Sequence, residues 1–578
     1  MLRSRAACLT AVARATAHSG AGAVLAVLAV FAVSAVPSAH AQARPAPASR
    51  AAPAAGAPTA QAAPPQGAQR PRPIPASAPR LVVVLIVDQM RADYLERFRG
   101  QFTGGFARML RGGAWFTEAY QDHAMTQTAI GHATILAGRN PVSHGIVDNS
   151  YGVDDPDAPL LEVGGSGASP LRFRGTTLFD WLQARNPSSR MLSISRKDRG
   201  AILPVGRARQ MAYWFVDGQF TTSAYYADSI PAWVREVNAR RVAARSAGRA
   251  WEPLFPLDSY PEPDIVPWER GGTDLSFPHL LPSDTAGAKR LFARAPWMDQ
   301  LIFDAALAGV RALGLGRDRA PDVLALSLST TDAIGHAWGP NSREIHDHIV
   351  RLDRMLGSFL DSLARLVGPR RTVVALTADH GVTPFTGWSR RHGFPLADTV
   401  NLDSAVAALR VSLARRAGPR NWIRLWSLGL LALDRPGLAA RGVDVDSVVS
   451  VLAAAFRANR GVLRVDTPRS LAAADTARDA VARRWLNAVP PWLGGELMVT
   501  LKPRSVLGWA SSAEHGQPSD DDTHVPLVLW GPGIRAGTFG RRVSVVDLAP
   551  TLAALLGVRP TEPVQGRVLA EALAAGRR

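Results

Sequence analysis

Residues 371–381 read RTVVALTADHG, and the interpretation of the whole chain starts from this stretch. Its middle part, residues 372–376, is a short run of β-branched and aliphatic residues, which is typical of a buried parallel strand. Thr377 ends the run, and Asp379 and His380 follow side by side after Ala378. In open α/β sheets ligands bind at the carboxyl ends of the strands, and Asp with His suits zinc. The stretch therefore predicts an α/β fold with a metal site at one sheet edge, with an ordinary turn as the alternative.

Two further apolar runs predict strands that end in the same kind of residue. Residues 81–87 read LVVVLIV, a continuous run expected in a sheet covered on both faces, and Asp88 stands at its exit. Asp88 is either a helix N-cap or a second metal ligand. Residues 323–328 lead to Asp332 and His336, which converge on one ion if the segment makes a helical turn. Several strand ends thus carry ligand-type side chains.

The composition is that of a large globular protein and argues against nucleic acid as a partner. The chain has 578 residues, of which 47% are hydrophobic and 20% charged, so it can bury a sizeable core. The formal net charge of +18 includes eight arginines in residues 1–80, which contain no acidic residue. A surface that tracks phosphates needs clustered basic charge, and the rest of the chain has no Lys/Arg block.

The first 80 residues predict an export signal followed by a linker. Three arginines precede apolar residues 21–36, and an A-x-A cleavage signal ends at Ala41. Because this apolar run is short for a membrane span, we expect residues 1–41 to be a cleaved signal peptide, with an uncleaved anchor as the alternative. Residues 42–80 are rich in Ala and Pro and form the linker. We expect an exported protein, periplasmic or extracellular, with no stable membrane span after cleavage.

Two other segments carry groups suited to phosphate chemistry. Thr128 precedes a helix-compatible stretch, and backbone N–H groups at a helix N-terminus favour an anion. Its hydroxyl becomes a nucleophile only with a base or a metal, and a simple N-cap is the alternative. Lys197 and Arg199 follow a predicted strand at residues 192–195, and they share one side if strand geometry continues. Their cationic donors suit phosphate oxygens, whereas a solvated charge pair is the alternative.

Together these residues resemble the alkaline phosphatase superfamily. The shared pattern is Asp88, Thr-x-x-Gly-His-Ala at 128–133, His144-Gly145-Ile146 with Asn149, Asp332-x-x-x-His336, Asp379-His380-Gly381 and His515-Gly516-x-Pro518. Within the superfamily the chain resembles bacterial phosphate-irrepressible alkaline phosphatases with a threonine nucleophile, and less closely the nucleotide pyrophosphatase/phosphodiesterases. One departure is Ile130, where a proline often precedes Gly-His; it alters the stiffness of the loop and removes no functional group.

The resemblance implies a three-layer α/β sandwich with a mostly parallel central sheet, helices on both faces and inserted cap segments. We expect the catalytic domain at residues 81–565, with insertions at about 205–318 and 385–490. Two divalent metal ions, most simply zinc, are implied. Their ligands would be Asp332, His336 and His515 at one ion, and Asp88, Asp379 and His380 with Thr128 at the other. His524 competes with His515, and the resemblance favours His515.

The implied reaction is the hydrolysis of small phosphate monoesters through a phosphothreonine intermediate on Thr128. The resemblance assigns Asn149, Lys197 and Arg199 to the phosphoryl oxygens. A monoester is a dianion whose extra oxygens need cationic donors, so Lys197 and Arg199 favour a monoesterase. A phosphodiesterase or nucleotide pyrophosphatase of the same superfamily is the alternative, because it would share all the metal ligands.

Three expectations concern the end of the chain. Residues 422–433 are apolar but too short to span a bilayer, so we expect a packed helix. Residues 496–501 and 525–530 are expected to resume the central sheet as two strands. An amphipathic helix over residues 545–558 is expected to close the domain.

Overall fold

The structure, a computed structural model, describes residues 78–508 and 513–574. The predicted signal peptide and nearly all of the predicted linker lie outside the described residues. Among the helices of these two ranges, none combines the length and the apolar character that a membrane crossing requires.

A nine-stranded sheet forms the centre of the fold. Five neighbouring strands in its middle are parallel to one another: Thr372–Thr377, Leu81–Val87, Asp322–Leu328, Met191–Ser195 and Met211–Val216. Every residue of Leu81–Val87 is buried although successive side chains point to opposite faces, so the sheet is covered on both sides. The predicted α/β class with a mostly parallel sheet is confirmed.

Two strands of this sheet run antiparallel to their neighbours. Gln219–Thr221 ends the sheet on one side, and Leu527–Trp530 pairs with Thr372–Thr377 on the other. Beyond Leu527–Trp530 lie Ala114–Phe116 and Gly537–Phe539. Because Leu527–Trp530 runs in the opposite direction, the loop before it reaches the edge at which the parallel strands end. That loop contains His515.

Helices pack on the sheet and bury its apolar residues. Outside the predicted second insertion, the described helices of eight or more residues are Gly105–Gly112, Thr128–Ala137, Leu178–Arg185, Asp198–Val205, Ala232–Ala239, Trp297–Leu313, Thr330–Trp338, Arg343–Val367 and Leu548–Leu556. The last of these is shorter than expected, because residues 545–547 form a 3₁₀ turn and Gly557 ends the helix in a left-handed conformation.

The predicted first insertion, residues 205–318, begins and ends with elements that contact the central sheet. It contributes the strands Met211–Val216 and Gln219–Thr221, and its last helix, Trp297–Leu313, packs on Asp322–Leu328. Between them lie short helices and a two-residue ladder of Ala250–Trp251 with His279–Leu280.

The predicted second insertion contributes three strands, Ile423–Ser427, Leu430–Leu433 and Val462–Asp466, to a separate four-stranded sheet with its own apolar core. The helix predicted at residues 422–433 is wrong, since these residues form the hairpin Ile423–Ser427 and Leu430–Leu433. Leu428 and Gly429 turn it with φ values of 50° and 89°, which suits a tight two-residue hairpin turn. A continuous apolar run does not distinguish a buried strand from a buried helix by periodicity.

One strand predicted for the central sheet lies elsewhere. Gly495–Leu501 pairs with Leu430–Leu433 and with Val462–Asp466, so it belongs to the second sheet. Leu527–Trp530 returns to the central sheet, as expected. The helices Asp403–Ala417 and Val445–Arg457 pack with the second sheet and share its apolar core.

Candidate active site

The carboxyl ends of three adjacent parallel strands bring five ligand-type side chains together. Asp88 directly follows Leu81–Val87, and Asp379 with His380 follows Thr372–Thr377. Asp332 and His336 lie one turn apart on the helix Thr330–Trp338, which follows Asp322–Leu328. Their side chains meet, with His336 Nε2 3.3 Å from Asp332 Oδ1.

Two groups of side chains have ligand atoms within 4.8 Å of one another. One group consists of Asp332, His336 and His515, which is the first group that the resemblance implies. The other consists of Asp88, Asp332 and His380. Asp379 lies beside this second group, with Oδ2 3.5 Å from His380 Nε2. Asp332 therefore lies between the two groups, whereas the resemblance assigns it to the first group alone.

The three histidines share one hydrogen-bond pattern that suits metal ligation. Each ring donates from Nδ1 to a backbone carbonyl: His336 to Ala513, His380 to Gly381 and His515 to Thr126, at 2.7, 2.9 and 2.6 Å. A carbonyl only accepts, so in the neutral ring Nε2 carries the free lone pair. Metal-bound histidines are usually oriented in this way by a partner on the other ring nitrogen.

Several buried polar atoms of the site have no hydrogen-bond partner among the described residues. They are both carboxylate oxygens of Asp88, Oδ2 of Asp379 and Nε2 of His380. The Lys197 ammonium lies 2.6 Å from Asp88 Oδ2 as an ion pair without hydrogen-bond geometry. Buried acceptors and lone pairs of this kind are costly unless a cation satisfies them. The donor set of carboxylate oxygens and imidazole nitrogens therefore fits divalent ions.

The electrostatics of the site also favour added positive charge. Burial, together with the nearby carboxylates of Asp332 and Asp379, raises the pKa of Asp88. Burial alone would raise the pKa of Asp332 too, but Lys197 and His336 hold that pKa well below its usual value. Burial lowers the pKa of His380 to about 4 and that of His515 to about 3. Both rings are thus neutral at physiological pH, as metal ligands must be. At His336 burial favours the neutral ring, but the Asp332 carboxylate outweighs it and raises the pKa to about 9, so a metal ion would have to displace a proton there.

Thr128 is the first residue of the helix Thr128–Ala137, so this helix begins earlier than the sequence predicts, at the threonine itself. Its hydroxyl is therefore at the helix N-terminus, where backbone dipoles favour an anion. Gly131 allows this helix to approach Asp379 closely, since a Cβ on Gly131 would lie 2.2 Å from the Asp379 carbonyl oxygen. The glycine of the Thr-x-x-Gly pattern thus lets the helix that begins at Thr128 lie against the segment that carries Asp379 and His380.

Asn149 and Lys197 both reach the start of this helix. Asn149 accepts a hydrogen bond from the Ala129 backbone N–H at 2.9 Å through Oδ1, so its amide NH₂ group is directed elsewhere as a donor. Lys197 Nζ donates to Thr128 Oγ1 at 3.0 Å and to Asp332 Oδ2 at 2.8 Å. The buried ammonium thus contacts the candidate nucleophile and carboxylates from both ligand groups.

Arg199 is not part of this contact network. The strand geometry on which its predicted position depends ends at Ser195, and a helix begins at Asp198. Lys197 is still extended at this N-cap, whereas Arg199 lies in the first helical turn. Its guanidinium is partly exposed and contacts Asp198 at 3.4 Å. Lys197 and Arg199 therefore do not follow strand alternation.

His524 lies apart from the ligand groups. Its Nε2 is 2.7 Å from the Thr117 carbonyl oxygen, and its ring stacks on Tyr120. These contacts join the loop before Leu527–Trp530 to the segment of Thr117 and Tyr120.

Sequence reasoning missed Gln89, the residue after Asp88. It is 1% exposed, it has a positive φ of 67°, and its backbone N–H donates to Asp379 Oδ1 at 3.1 Å. Its side-chain amide donates to Asp332 Oδ1 at 3.2 Å. Gln89 thus hydrogen-bonds to two candidate ligand carboxylates, Asp379 through its backbone and Asp332 through its side chain. The only signal in the sequence is a polar residue directly after a strand-end Asp.

His132 is a second residue without a role in the sequence interpretation. Its ring is fully buried, with Nδ1 2.8 Å from the Thr128 carbonyl oxygen and 3.1 Å from Asp379 Oδ2. Its Nε2 lies 2.9 Å from Ser327 Oγ. His132 therefore ties the helix of Thr128 to a ligand carboxylate and to a neighbouring strand.

Comparisons with known proteins agree with this arrangement. A family model described as type I phosphodiesterase / nucleotide pyrophosphatase matches residues 82–451. Alkaline phosphatase PafA of Elizabethkingia meningoseptica is 30% identical over 519 residues, covering 86% of this chain and 94% of the relative. Alkaline phosphatase PhoV of Synechococcus elongatus is 30% identical over 532 residues, covering 87% and 94%.

A solved structure has the same fold. It is the crystal structure of a PafA variant with substitutions of one threonine, one asparagine, one lysine and one arginine. Its TM-score to this chain is 0.80 at 29% identity, and the alignment covers 86% of this chain and 99% of that chain.

We predict that Gln89→Met weakens metal binding without altering the fold. The change keeps the side-chain volume but removes the amide donor to Asp332, so the ligand carboxylates lose their fixed separation. Loss of such a supporting hydrogen bond typically costs about 10–100-fold in metal affinity. The affinity is measured by competition between the metal-free protein and a chromophoric chelator.

Gln101→Met is the matched control for this prediction, since the Gln101 amide contacts Ser259 and lies outside both ligand groups. We expect its metal affinity to equal that of the unmodified protein. An unchanged affinity in Gln89→Met would show that the amide does not position the ligands.

Proposed function

Because this chain belongs to the type I phosphodiesterase / nucleotide pyrophosphatase family within the alkaline phosphatase superfamily, we propose that it is an alkaline phosphatase acting on small phosphate monoesters. We further propose that the reaction passes through a phosphothreonine on Thr128 and that the two metal ions are zinc. The relatives named alkaline phosphatase cover most of this chain and support the enzyme class.

The contact of Lys197 with Thr128 is the observation that carries the monoesterase assignment. Its ammonium is 3.0 Å from the hydroxyl and 5% exposed as a side chain. A phosphoryl group attacked by this hydroxyl would have its oxygens next to that positive charge. A monoester presents more charged oxygens than a diester, so a buried cation at this position favours the monoester.

The residue types of the substituted PafA variant support the same roles. The threonine, asparagine, lysine and arginine changed in that protein match the types and the chain order of Thr128, Asn149, Lys197 and Arg199. We therefore propose these four residues as the groups that contact the phosphoryl group in this chain. For Arg199 this requires its guanidinium to move from Asp198 toward the substrate.

The chain's own groups account for most of the reaction. Thr128 Oγ attacks phosphorus from a helix N-terminus, whose backbone dipoles favour the negative charge of the phosphoryl group. As the bond from Oγ to phosphorus forms, the ester P–O bond breaks, and the alcohol leaves with a proton that replaces the one lost by the hydroxyl. Water then hydrolyses the phosphothreonine, which releases inorganic phosphate and restores the Thr128 hydroxyl. Lys197 and the Asn149 amide hold phosphoryl oxygens, and Lys197 also offsets the negative charge of Asp88 and Asp332. Bound divalent ions supply the positive charge that lowers the hydroxyl pKa of the nucleophile and stabilises the leaving oxygen.

The donor set supports zinc as the metal. Imidazole nitrogens with carboxylate oxygens suit zinc, while an all-oxygen set would suit magnesium or calcium. His336, His380 and His515 would hold the ions together with Asp88, Asp332 and Asp379. The single cysteine of the sequence, Cys8, precedes the proposed cleavage site and takes no part. We also propose export of the protein, on the basis of the signal pattern that ends at Ala41.

A phosphodiesterase activity is the second candidate, and one specific observation favours it. Within the described part of the chain, the Arg199 guanidinium contacts Asp198 and makes no hydrogen bond to Thr128 or Lys197. The family that matches this chain is also named for phosphodiesterase and nucleotide pyrophosphatase activity. If Arg199 stays at Asp198, the phosphoryl group has one cationic donor fewer.

The first test compares a monoester with a diester of the same leaving group. We expect the zinc-loaded protein to hydrolyse p-nitrophenyl phosphate with a kcat/KM at least about 10²-fold higher than for bis-p-nitrophenyl phosphate, since the buried ammonium favours the dianion. The measurement is release of p-nitrophenol at mildly alkaline pH. A preference for the diester would move the protein to the phosphodiesterase alternative.

Thr128→Ala should abolish turnover and leave the metal content near that of the unmodified protein, because the methyl group removes only the nucleophile. Turnover is measured with p-nitrophenyl phosphate, and metal content by elemental analysis of the same sample. Thr128→Ser keeps a hydroxyl and serves as the control that retains activity. Substantial turnover by the alanine variant would exclude Thr128 as the nucleophile.

Lys197→Met should lower monoester hydrolysis about 10²-fold and diester hydrolysis much less, since it removes a charge-assisted contact to the extra oxygen. The ratio of the two kcat/KM values is the readout. Lys289→Met is the matched control, because Lys289 pairs with Asp217 on the surface. Equal losses on both substrates would assign Lys197 to the stability of the site alone.

A further inference from the structure

The helix Thr330–Trp338, which carries two candidate metal ligands, does not cap its own N-terminus. Its N-cap residue, Ser329, makes no capping hydrogen bond within the described structure, and its hydroxyl lies 3.4 Å from Ser327 Oγ. The first N–H groups of a helix have no partner inside the helix, so a buried N-terminus needs acceptors from elsewhere. An acceptor for Thr330, the first helical residue, must therefore come from another element.

Asp299 accepts from Thr330 and so caps this helix from outside. It lies in the first turn of Trp297–Leu313, the last helix of the predicted first insertion. Its Oδ1 accepts hydrogen bonds from the Thr330 hydroxyl at 2.8 Å and from the Thr330 backbone N–H at 3.3 Å. Both residues are fully buried. The insertion thus supplies the cap that the ligand helix does not supply itself.

His348 completes a small buried network around the same helix end. It lies on the helix Arg343–Val367, and its Nε2 is 3.1 Å from Thr331 Oγ1 and 3.5 Å from Asp299 Oδ2. Burial lowers the pKa of His348 to about 3, so the ring is neutral. The first two residues of the ligand helix are therefore each hydrogen-bonded to a different neighbouring helix.

The charge of the Asp299 carboxylate suits a helix cap. Burial raises its pKa to about 7, although the hydrogen bonds from Thr330 oppose this rise. At mildly alkaline pH the group is therefore ionised, and hydrogen bonds to an ionised acceptor are stronger than those to a neutral one. The helix dipole also favours a negative charge at the N-terminus. The cap is thus a charge-assisted contact at a buried position.

A short series of contacts links this cap to the candidate nucleophile. Asp332 lies two residues after Thr330 in the same first turn, so its position depends on where the helix begins. Its Oδ2 accepts a hydrogen bond from Lys197 Nζ at 2.8 Å, and Lys197 Nζ also donates to Thr128 Oγ1 at 3.0 Å. A displaced helix start would therefore move a ligand carboxylate and the ammonium next to Thr128.

We propose that Asp299 is a positioning residue of the metal site, which fixes the start of the ligand helix and thereby the places of Asp332 and His336. The inference deepens the proposed function and rests on its two metal ions. The ion beside His336 would take two of its ligands from this helix. The other ion would take its remaining ligands from the ends of two other strands. Loss of the cap therefore weakens the ion beside His336 more than the other ion.

The test measures the affinity of each metal ion in Asp299→Leu, which removes both carboxylate oxygens at similar volume. Metal-free protein is titrated with zinc in competition with a chromophoric chelator, so that two binding steps are resolved. We expect one step to weaken about tenfold or more and the other less than about threefold, since loss of a supporting hydrogen bond typically costs about 10–100-fold in metal affinity. Asp299→Asn keeps an acceptor for Thr330 and should bind both ions nearly as the unmodified protein does.

Asp353→Leu is the matched control, because Asp353 caps another helix in the same way. Its buried carboxylate accepts from the Phe106 and Ala107 backbone N–H groups at 2.7 and 3.2 Å, in the first turn of Gly105–Gly112. None of the candidate metal ligands described above lies on that helix. We expect a lower melting temperature and two unchanged zinc affinities.

Thr330→Val is a milder variant that takes the place of Asp299→Leu if the latter does not fold. It removes only the hydroxyl donor and keeps the backbone N–H that Asp299 accepts from. It should weaken the same zinc-binding step by a smaller factor and leave the other step unchanged.

The outcomes distinguish this inference from the proposed function. Equal weakening of both steps, or of neither, overturns the role of Asp299 and leaves the phosphatase function intact. A loss in Asp299→Asn as large as that in Asp299→Leu also overturns it, since the cap would then not be what matters. If the unmodified protein binds no divalent ion, the proposed function fails. The cap is then tested by hydrogen exchange of the same variants without metal: faster exchange confined to residues 330–338 supports it, and unchanged exchange overturns it.

Discussion

Three buried carboxylates at the end of an apolar sheet are the constraint on which the rest of the site depends. Asp88, Asp332 and Asp379 lie close together and nearly out of solvent, where like charges repel and desolvation is costly. The raised pKa of Asp88 expresses this strain, and its causes are burial and the two other carboxylates. Such a cluster is stable only with added positive charge. Lys197 provides one charge, and divalent ions held by the same oxygens would provide the rest. The positive charges that stabilise these buried carboxylates are therefore the same ones that would attract the substrate phosphate.

The positions of the ligand-type side chains follow from strand direction, which is why the sequence predicts where these candidate ligands lie. A parallel strand delivers its last residue to one edge, so apolar runs that end in Asp or Asp-His indicate where the ligands meet. His515 lies in the loop before the antiparallel strand Leu527–Trp530, which begins at the same edge. In the sequence, only the family pattern indicates that His515 belongs to the site. Gln89 and His132 were not predictable, because their contacts depend on a positive φ and on ring orientation. The hairpin at residues 423–433 was missed since a buried apolar run has no diagnostic period.

That hairpin also explains how the second sheet serves the site. Its last residue before the turn, Ser427, donates to the Asp148 carboxylate at 2.5 Å, next to Asn149. At the turn, the Leu428 carbonyl accepts from the Gln517 side chain, two residues after His515. A Cβ on Gly516 would lie 2.5 Å from the Leu428 side chain, so the contact is close. The hairpin tip therefore touches both the segment of a phosphate-binding candidate and the loop of a metal-ligand candidate. An inserted element of this kind stabilises loops that the central sheet alone would leave exposed.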